Sequence, residues 1–407
     1  MKCRHCNLDL VNTFLDLGFS PPSNSYLLAD DLYSYEKHYP LRLKVCSECW
    51  LVQTEDCVAV EELFSSEYAY FSSTSTSWLA HAAESTERLT QLLKLGQDSL
   101  VIELASNDGY LLKNFLQAGI PCLGIEPTAG TAAEAERIGI PVIREFFSEA
   151  LGKRLSGEGK QADLIIGNNV FAHVPDINDF TLGMKAILKK GGSISLEFPH
   201  LMRLIEQIQF DTVYHEHFSY LSLYTVNRIF GAAGLKVYDV EELTTHGGSL
   251  RVFGCHLEEG RTPTYKVTEM LDQESRHGLQ KLATYRGFQA RADRVKDDLL
   301  TFLIEMKKNG QTVAGYGAAA KGNTMLNYAG IKRDLLPVVF DAAVSKQGKF
   351  LPGSHIPILA PKMIEKMRPD YLLILPWNIA DEVIVQNSHL GELGTKFVTA
   401  VPRLKAL

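Results

Sequence analysis

Ser99-Leu-Val-Ile-Glu103-Leu-Ala105-Ser-Asn107-Asp108-Gly109-Tyr110 is the stretch on which the reading of this chain turns. A short apolar run bounded by turn signals fits a buried parallel strand. Here the strand, 99–104, feeds a loop, then a helix ending near Gly119, then a second strand pattern at Cys122-Leu-Gly-Ile-Glu126. A strand–loop–helix–strand unit with an acid closing the second strand binds nucleosides in doubly wound sheets. The acid accepts hydrogen bonds from ribose hydroxyls, and the loop backbone lies close to the ligand.

The loop also discriminates between nucleosides. A dinucleotide fingerprint needs three glycines to seat a pyrophosphate. This loop has only Gly109, with Ala105 at the earlier close-approach position. Glu103, where the loop begins, would repel a pyrophosphate and suit a cation. S-adenosylmethionine carries a sulfonium and an ammonium but no phosphate, so it is favoured over NAD. The sheet continues with strand patterns at 162–167 and 191–198, and a hairpin pattern at 235–243 and 249–256. Asn168, His173, Pro199 and His200 fall just past strand ends, where open α/β sheets bind ligands.

Phe210-Asp-Thr-Val-Tyr214-His215-Glu216-His217-Phe-Ser-Tyr220 is the densest chemistry in the chain. It reads as a loop between two helices. If the loop is extended, His215 and His217 point one way and Glu216 the other. An imidazole is the group most readily set to take a proton near neutral pH. Glu216 suits orienting an imidazole or binding a hydroxyl, and Tyr214 suits an oxyanion. A metal clasp through the two histidines and a satisfied polar loop are the alternatives. His173 is expected to face the same cleft.

Four of the seven cysteines form two Cys-x-x-Cys pairs, Cys3/Cys6 and Cys46/Cys49. Four thiolates suit tetrahedral zinc and leave no open position for catalysis. The reading is therefore a structural ion, with a free-thiol or redox role as the alternative. The 39 residues between Cys6 and Cys46 look like loops and short strands too small to hold a core alone. A bound ion would supply folding energy there. Tyr68-Ala-Tyr70-Phe-Ser-Ser then precedes a helical pattern over 77–95; it is either a capped linker or a segment whose tyrosines reach an active site.

Residues 264–309 are helix-like, and a second strand–loop–helix follows at Thr312-Val-Ala-Gly315-Tyr316-Gly317-Ala-Ala-Ala-Lys321-Gly-Asn323. Its glycine pair, small residues and Lys321 suit a pyrophosphate at a helix N-terminus. NAD remains an alternative there, but a nucleotide-linked substrate fits better beside a methyl donor in the first sheet.

Composition narrows the classes. The chain has 407 residues, 45% hydrophobic and 22% charged, with Lys+Arg 41 against Asp+Glu 48 and a net charge of -7. That balance argues against a dedicated nucleic-acid binder. No apolar run approaches the roughly 20 residues of a membrane helix. The first residues lack the apolar core of a signal peptide, so a cytoplasmic enzyme is expected.

Taken together, the motifs resemble a known family. They run Cys-x-x-Cys twice, Tyr-x-Tyr-Phe-Ser-Ser, Glu-x-Ala-Ser-Asn-Asp-Gly, Asn-x-x-Ala-His-Val-Pro-Asp, Glu-x-Pro-His, Tyr-His-Glu-His, His-Gly-Gly-Ser-x-Arg, Gly-Tyr-Gly-Ala-Ala-x-Lys-Gly and Pro-Trp-Asn. The whole chain resembles the nucleotide-sugar C-methyltransferases of branched deoxysugar biosynthesis. The resemblance implies an α/β protein of three parts: a zinc-binding domain (1–66), a Rossmann-like S-adenosylmethionine domain (67–262) and a C-terminal Rossmann-like nucleotide-sugar domain (263–407). It implies methylation at C3 of an NDP-4-keto-6-deoxysugar, usually dTDP-linked, with GDP left open. Cys3, Cys6, Cys46 and Cys49 match its zinc ligands. Glu103, Ala105, Asn107 and Glu126 match its donor site, to which Gly109, Tyr110 and Asn168 are added as neighbours. His217 matches the base, with Tyr214, Glu216, His173 and Tyr68 around the sugar. Lys321 and Asn323 match the loop near the diphosphate, and Tyr70, Phe198, His200 and Tyr316 are further candidate substrate contacts. A monomer is expected, because one chain carries every motif. The competing classes are an NAD-linked nucleotide-sugar oxidoreductase, a non-catalytic nucleotide-sugar scaffold and a small-molecule O-methyltransferase.

Overall fold

The computed structural model describes residues 1–58, 63 and 71–407. Its first strand pattern becomes β4 (Val101–Leu104), with Val101, Ile102 and Leu104 fully buried. A strand apolar on both faces belongs in the middle of a parallel sheet covered by helices. β4 lies between β5 (Cys122–Ile125), followed outward by β6 (Val142–Ile143), and β7 (Ala162–Asn168). Beyond β7 come β8 (Leu188–Pro199) and the hairpin of β10 (Leu235–Leu243) and β11 (Ser249–His256). The order is β10-β11-β8-β7-β4-β5-β6, parallel except that β11 runs antiparallel to both neighbours. The chain reverses its direction of winding between β4 and β7. Their C-terminal ends therefore open a crevice at the switch point.

A second sheet is built from β12 (Val313–Tyr316), β13 (Val339–Phe340), β14 (Ile358–Leu359), β15 (Tyr371–Ile374), β16 (Lys396–Thr399) and β17 (Lys405–Ala406). Its order, β14-β13-β12-β15-β16-β17, has a switch point between β12 and β15, with only β17 antiparallel.

The N-terminal segment is more regular than its sequence suggests. β1 (Asn12–Ser20), β2 (Tyr39–Val45) and β3 (Val52–Thr54) form an antiparallel sheet. Its fourth strand, β9 (Ser219–Tyr220), comes from the His-rich loop and pairs Val52 with Tyr220. Among the described residues this sheet has no separate core. Phe14, Leu15, Leu41 and Leu43 pack with Tyr285 and Phe288 and the second sheet, whereas Cys3, Cys46 and Cys49 pack with the first. The helix Phe288–Lys308 buries Phe288, Ala292, Val295, Leu299 and Leu303, a spacing of three or four residues that makes one apolar face. The helix Tyr265–Arg276 buries Val267 and Met270 in the core of the first sheet. No helix among the described residues is long and apolar enough to cross a membrane.

Candidate active site

The four N-terminal sulfurs all lie within 4.8 Å of one another, with Cys3–Cys49 and Cys6–Cys46 at 3.4 Å. Zn–S bonds of about 2.3 Å in a tetrahedron put sulfurs about 3.8 Å apart, so the set fits one ion. Among the described residues it is the one cluster of three or more His, Cys, Asp or Glu groups that could hold a metal.

The loop that follows β4 is held in an unusual backbone path. Ala105, Asn107 and Gly109 have φ of 56°, 50° and 77°. Left-handed conformations at non-glycine residues persist only where the surroundings enforce them. Glu126 does so from the end of β5: one carboxylate oxygen accepts from the Asn107 amide (2.9 Å) and the other from the Thr128 amide (2.8 Å). The Asn107 side chain in turn accepts from the Ser72 amide at 2.9 Å. Gly109 suits its φ of 77°, which strains any other residue, and a Cβ there would also lie 3.3 Å from the Ala135 backbone. Ala105, Asn107, Tyr110, Glu126 and Asn168 line a cavity of about 600 Å³.

The opposite wall of that cavity is the His-rich loop, which is turned rather than extended. The His217 amide donates to the Tyr214 carbonyl at 3.0 Å. The turn brings Glu216 and His217 to the same cavity and turns His215 away, against Tyr39 at a ring separation of 6.0 Å. The extended reading of this loop is therefore corrected, and the two-histidine clasp does not form. His217 Nδ1 lies 3.1 Å from the Thr212 carbonyl. A carbonyl only accepts, so the ring proton is on Nδ1 and Nε2 carries a lone pair. The His217 ring lies 4.0 Å from that of Tyr214 and 4.6 Å from that of His173. Burial, then the neighbouring His173, hold its pKa well below the usual value, against the pull of the Thr212 backbone. Burial likewise lowers His173 to about 4. Both rings are neutral at pH 7. The Glu216 carboxylate accepts from Asn24 Nδ2 at both oxygens, 2.8 and 2.9 Å.

The cavity closes on the second sheet. Lys321 donates to Asn378 Oδ1 (2.6 Å) and lies 5.0 Å from the Trp377 ring. Trp377 Nε1 donates to Asp211 at 2.7 Å, tying this rim to the His-rich loop. Burial raises Asp211 to about 6, with Lys321 and Trp377 opposing. Lys346 donates to the Ala318 carbonyl at 2.9 Å on the same rim.

Several expected residues lie elsewhere. Glu103 is buried behind the loop, its pKa raised well above the usual range by burial and then by Glu126 and Asp108. It does not line the cavity, so Glu126 is the acid of this pair that faces it. Phe198 and Tyr316 are strand residues packed into the two cores. His200 is buried with Nε2 2.8 Å from Glu274. Asn323 is buried against Ser23, its amide 3.5 Å from that carbonyl. None of these four lines the cavity. Tyr68 and Tyr70 lie outside the described residues. The sequence reading missed Asn24, Thr212, Trp78, His246 and Lys346 as cavity residues. His246 falls in the His-Gly-Gly-Ser-x-Arg motif and Asn24 in the stretch between the cysteine pairs, but neither carried a chemical signal.

A seven-stranded sheet with its single antiparallel strand next to the edge, and a phosphate-free nucleoside loop facing a shared cavity, defines an S-adenosylmethionine-dependent methyltransferase. Family models match along the chain: a zinc binding domain over residues 3–64, a methyltransferase domain over 78–240 and a C-methyltransferase C-terminal domain over 244–402. The chain is also 34% identical over 406 residues to C-methyltransferase NovU of Streptomyces niveus, covering 100% of this chain and 96% of that protein. It belongs to the S-adenosylmethionine-dependent C-methyltransferases that carry an N-terminal zinc-binding domain. S-adenosylmethionine is its methyl donor, and the four thiolates are the ligands of a structural zinc. Weaker likenesses to solved structures carry no weight beside these. They include magnesium protoporphyrin IX methyltransferase ChlM from Synechocystis PCC 6803 (TM-score 0.35, 14% identity, 43% of this chain and 82% of that one). The glycopeptide N-methyltransferase MtfA with S-adenosylmethionine is another (TM-score 0.34, 13% identity, 43% and 94%).

Proposed function

We propose that the enzyme methylates C3 of an NDP-4-keto-6-deoxysugar, dTDP-linked rather than GDP-linked, with His217 as the base. One observation carries the reading: a neutral, buried His217 with its lone pair on Nε2 shares a cavity with the donor loop and with Lys321. Carbon is a poor nucleophile and needs activation. A ketone at C4 acidifies the C3 proton enough for an imidazole to remove it if the oxyanion is stabilised. The donor supplies an electrophilic methyl group. His217 Nε2 takes the C3 proton, and the resulting enolate carbon is the nucleophile for that methyl. Glu216, oriented by Asn24, binds a sugar hydroxyl. Tyr214 or His173 faces the enolate oxygen, and Lys321 and Lys346 neutralise the diphosphate.

An NAD-linked oxidoreductase finds less support than methyl transfer. Asp341, at the end of β13, accepts from the Ala318 and Ala343 amides, both at 2.7 Å, and lies 3.7 Å from Lys346. Glu126 is held by two amides in the same way in the first sheet, so it is the full-length C-methyltransferase relative, and not this acid, that favours methyl transfer. The same reading takes the enzyme as cytoplasmic and monomeric, with the cavity lined from one chain, and divides it at residues 66 and 262. Incubation with labelled S-adenosylmethionine and a panel of dTDP- and GDP-4-keto-6-deoxysugars, read by mass spectrometry, tests it. Label at C3 of a dTDP sugar is expected. Donor binding with no transfer to any member of the panel would refute the substrate class.

A further inference from the structure

His246 lines the same cavity, yet the chemistry above gives it no part. It sits in the turn Thr245–Gly247 with φ 53° and ψ 20°. A non-glycine residue there costs energy and needs enforcement. The enforcement is extensive. Gly247 and Gly248 follow at φ 89° and 114°. A Cβ on Gly247 would lie 2.4 Å from the Trp377 ring, and one on Gly248 would lie 2.7 Å from Arg203 Cγ. Gln209 donates to the Gly247 carbonyl at 2.7 Å. Thr245 Oγ1 donates to Glu197 at 2.8 Å, and Arg251 holds the other oxygen of that buried carboxylate at 2.8 Å. The ring itself lies 5.1 Å from that of Trp78.

The ring is oriented by a second left-handed residue. Asn169, φ 54°, has its amide nitrogen 2.9 Å from His246 Nε2. With the amide donating, Nε2 is the acceptor and the ring proton resides on Nδ1. Nδ1 has no partner among the described residues. His246 and His217 are therefore complementary: one cavity holds an imidazole with an open lone pair and another with a spare N–H.

We propose that His246 is a further catalytic residue, whose Nδ1–H donates to the substrate carbonyl oxygen as negative charge develops on it. The C3 proton passes to His217 Nε2, the C–H electron pair forms the C3–C4 double bond, and the carbonyl π pair moves to oxygen. His246 stabilises that oxygen and keeps its own proton. The assignment rests on the enolate reading above.

His246→Gly and His246→Asn test it, because both residues tolerate the left-handed turn and Asn restores an N–H near the position of Nδ1. Removing one oxyanion donor typically costs about 100–1,000-fold in kcat. The expected result for His246→Gly is a loss of at least about 100-fold in methyl transfer to the keto-sugar, with donor Kd by calorimetry within about threefold of wild type. His246→Asn should recover at least about tenfold over His246→Gly. His246→Gly within threefold of wild-type kcat, an equal loss in donor affinity, or His246→Asn no better than His246→Gly would each overturn the assignment. A wild type that methylates no keto-sugar would remove the substrate reading and this assignment with it. Variants matching an active wild type would remove the assignment alone.

Discussion

Asn24 spans the two carboxylate oxygens of Glu216 with one amide nitrogen, at 2.8 and 2.9 Å, across 192 residues of sequence. The zinc-bearing segment thus reaches into the methyl-transfer cavity. Asn24→Ala removes the donor that fixes the Glu216 rotamer, and a hydrogen bond to a charged group contributes about 1.5–3 kcal/mol. The expected outcome is a fall in kcat of about 10–100-fold with donor affinity unchanged, measured by steady-state kinetics and calorimetry. An unchanged kcat would show that Glu216 is held without Asn24.

The zinc site supports that contact from a distance. β9 pairs with β3, which follows directly on Cys46 and Cys49, so the register of the His-rich loop depends on the metal-bound segment. Structural zinc contributes about 10–16 kcal/mol of apparent binding energy in small domains. The double variant Cys46→Ser, Cys49→Ser is expected to lose zinc, the β1–β3 sheet and activity together. A soluble, active, zinc-free double variant would contradict this.

Glu126 has one oxygen on the Asn107 amide of the loop after β4 and the other on the Thr128 amide just past β5. Glu126→Gln replaces one acceptor with a donor, which cannot serve the Asn107 or Thr128 amide. Donor Kd is expected to rise at least about tenfold, and the melting temperature to fall by a few degrees, because one buried amide loses its acceptor. Unaltered donor binding would mean that this acid does not shape the ribose site.

The buried imidazoles set a pH dependence. His173 and His246 are lowered to about 4, and His217 well below its usual value, all chiefly by burial. Their folded-state pKa values lie below the unfolded value of about 6.5. Stability from keeping them neutral is therefore full above about pH 6.5. It falls as pH drops towards about 4, where the unfolded chain binds protons that the folded one excludes. Denaturant midpoints are expected to fall over that window. The acid limb of kcat/KM should lie well below pH 6.5, and a limb at 6.5 would contradict a neutral, buried His217.

How much of this the sequence carried depends on the distance over which each residue acts. β10 and β11 match the expected hairpin residue for residue, because apolar runs and the turn between them are local signals. The Cys-x-x-Cys pairs and the 99–126 unit were legible for the same reason. Phe198, His200, Tyr316 and Asn323 sit inside recognisable motifs, but a motif does not say which face of a covered sheet a side chain takes, and all four are buried. The Tyr214–His217 turn reversed the direction expected for Glu216, because one backbone hydrogen bond outweighed the two-residue period of an extended strand. Asn24 and His246 gain their positions from contacts far off in sequence, Asn24 with Glu216 and His246 with Asn169 and Trp78.

The most direct test of the central claim follows exchange of the C3 proton of a dTDP-4-keto-6-deoxysugar with deuterated solvent, without methyl donor, in wild type and His217→Asn. The expected result is exchange catalysed by the wild type and reduced at least about 100-fold in the variant, the lower range for losing a general base. Exchange in His217→Asn at the wild-type rate would contradict the assignment of His217 as the base.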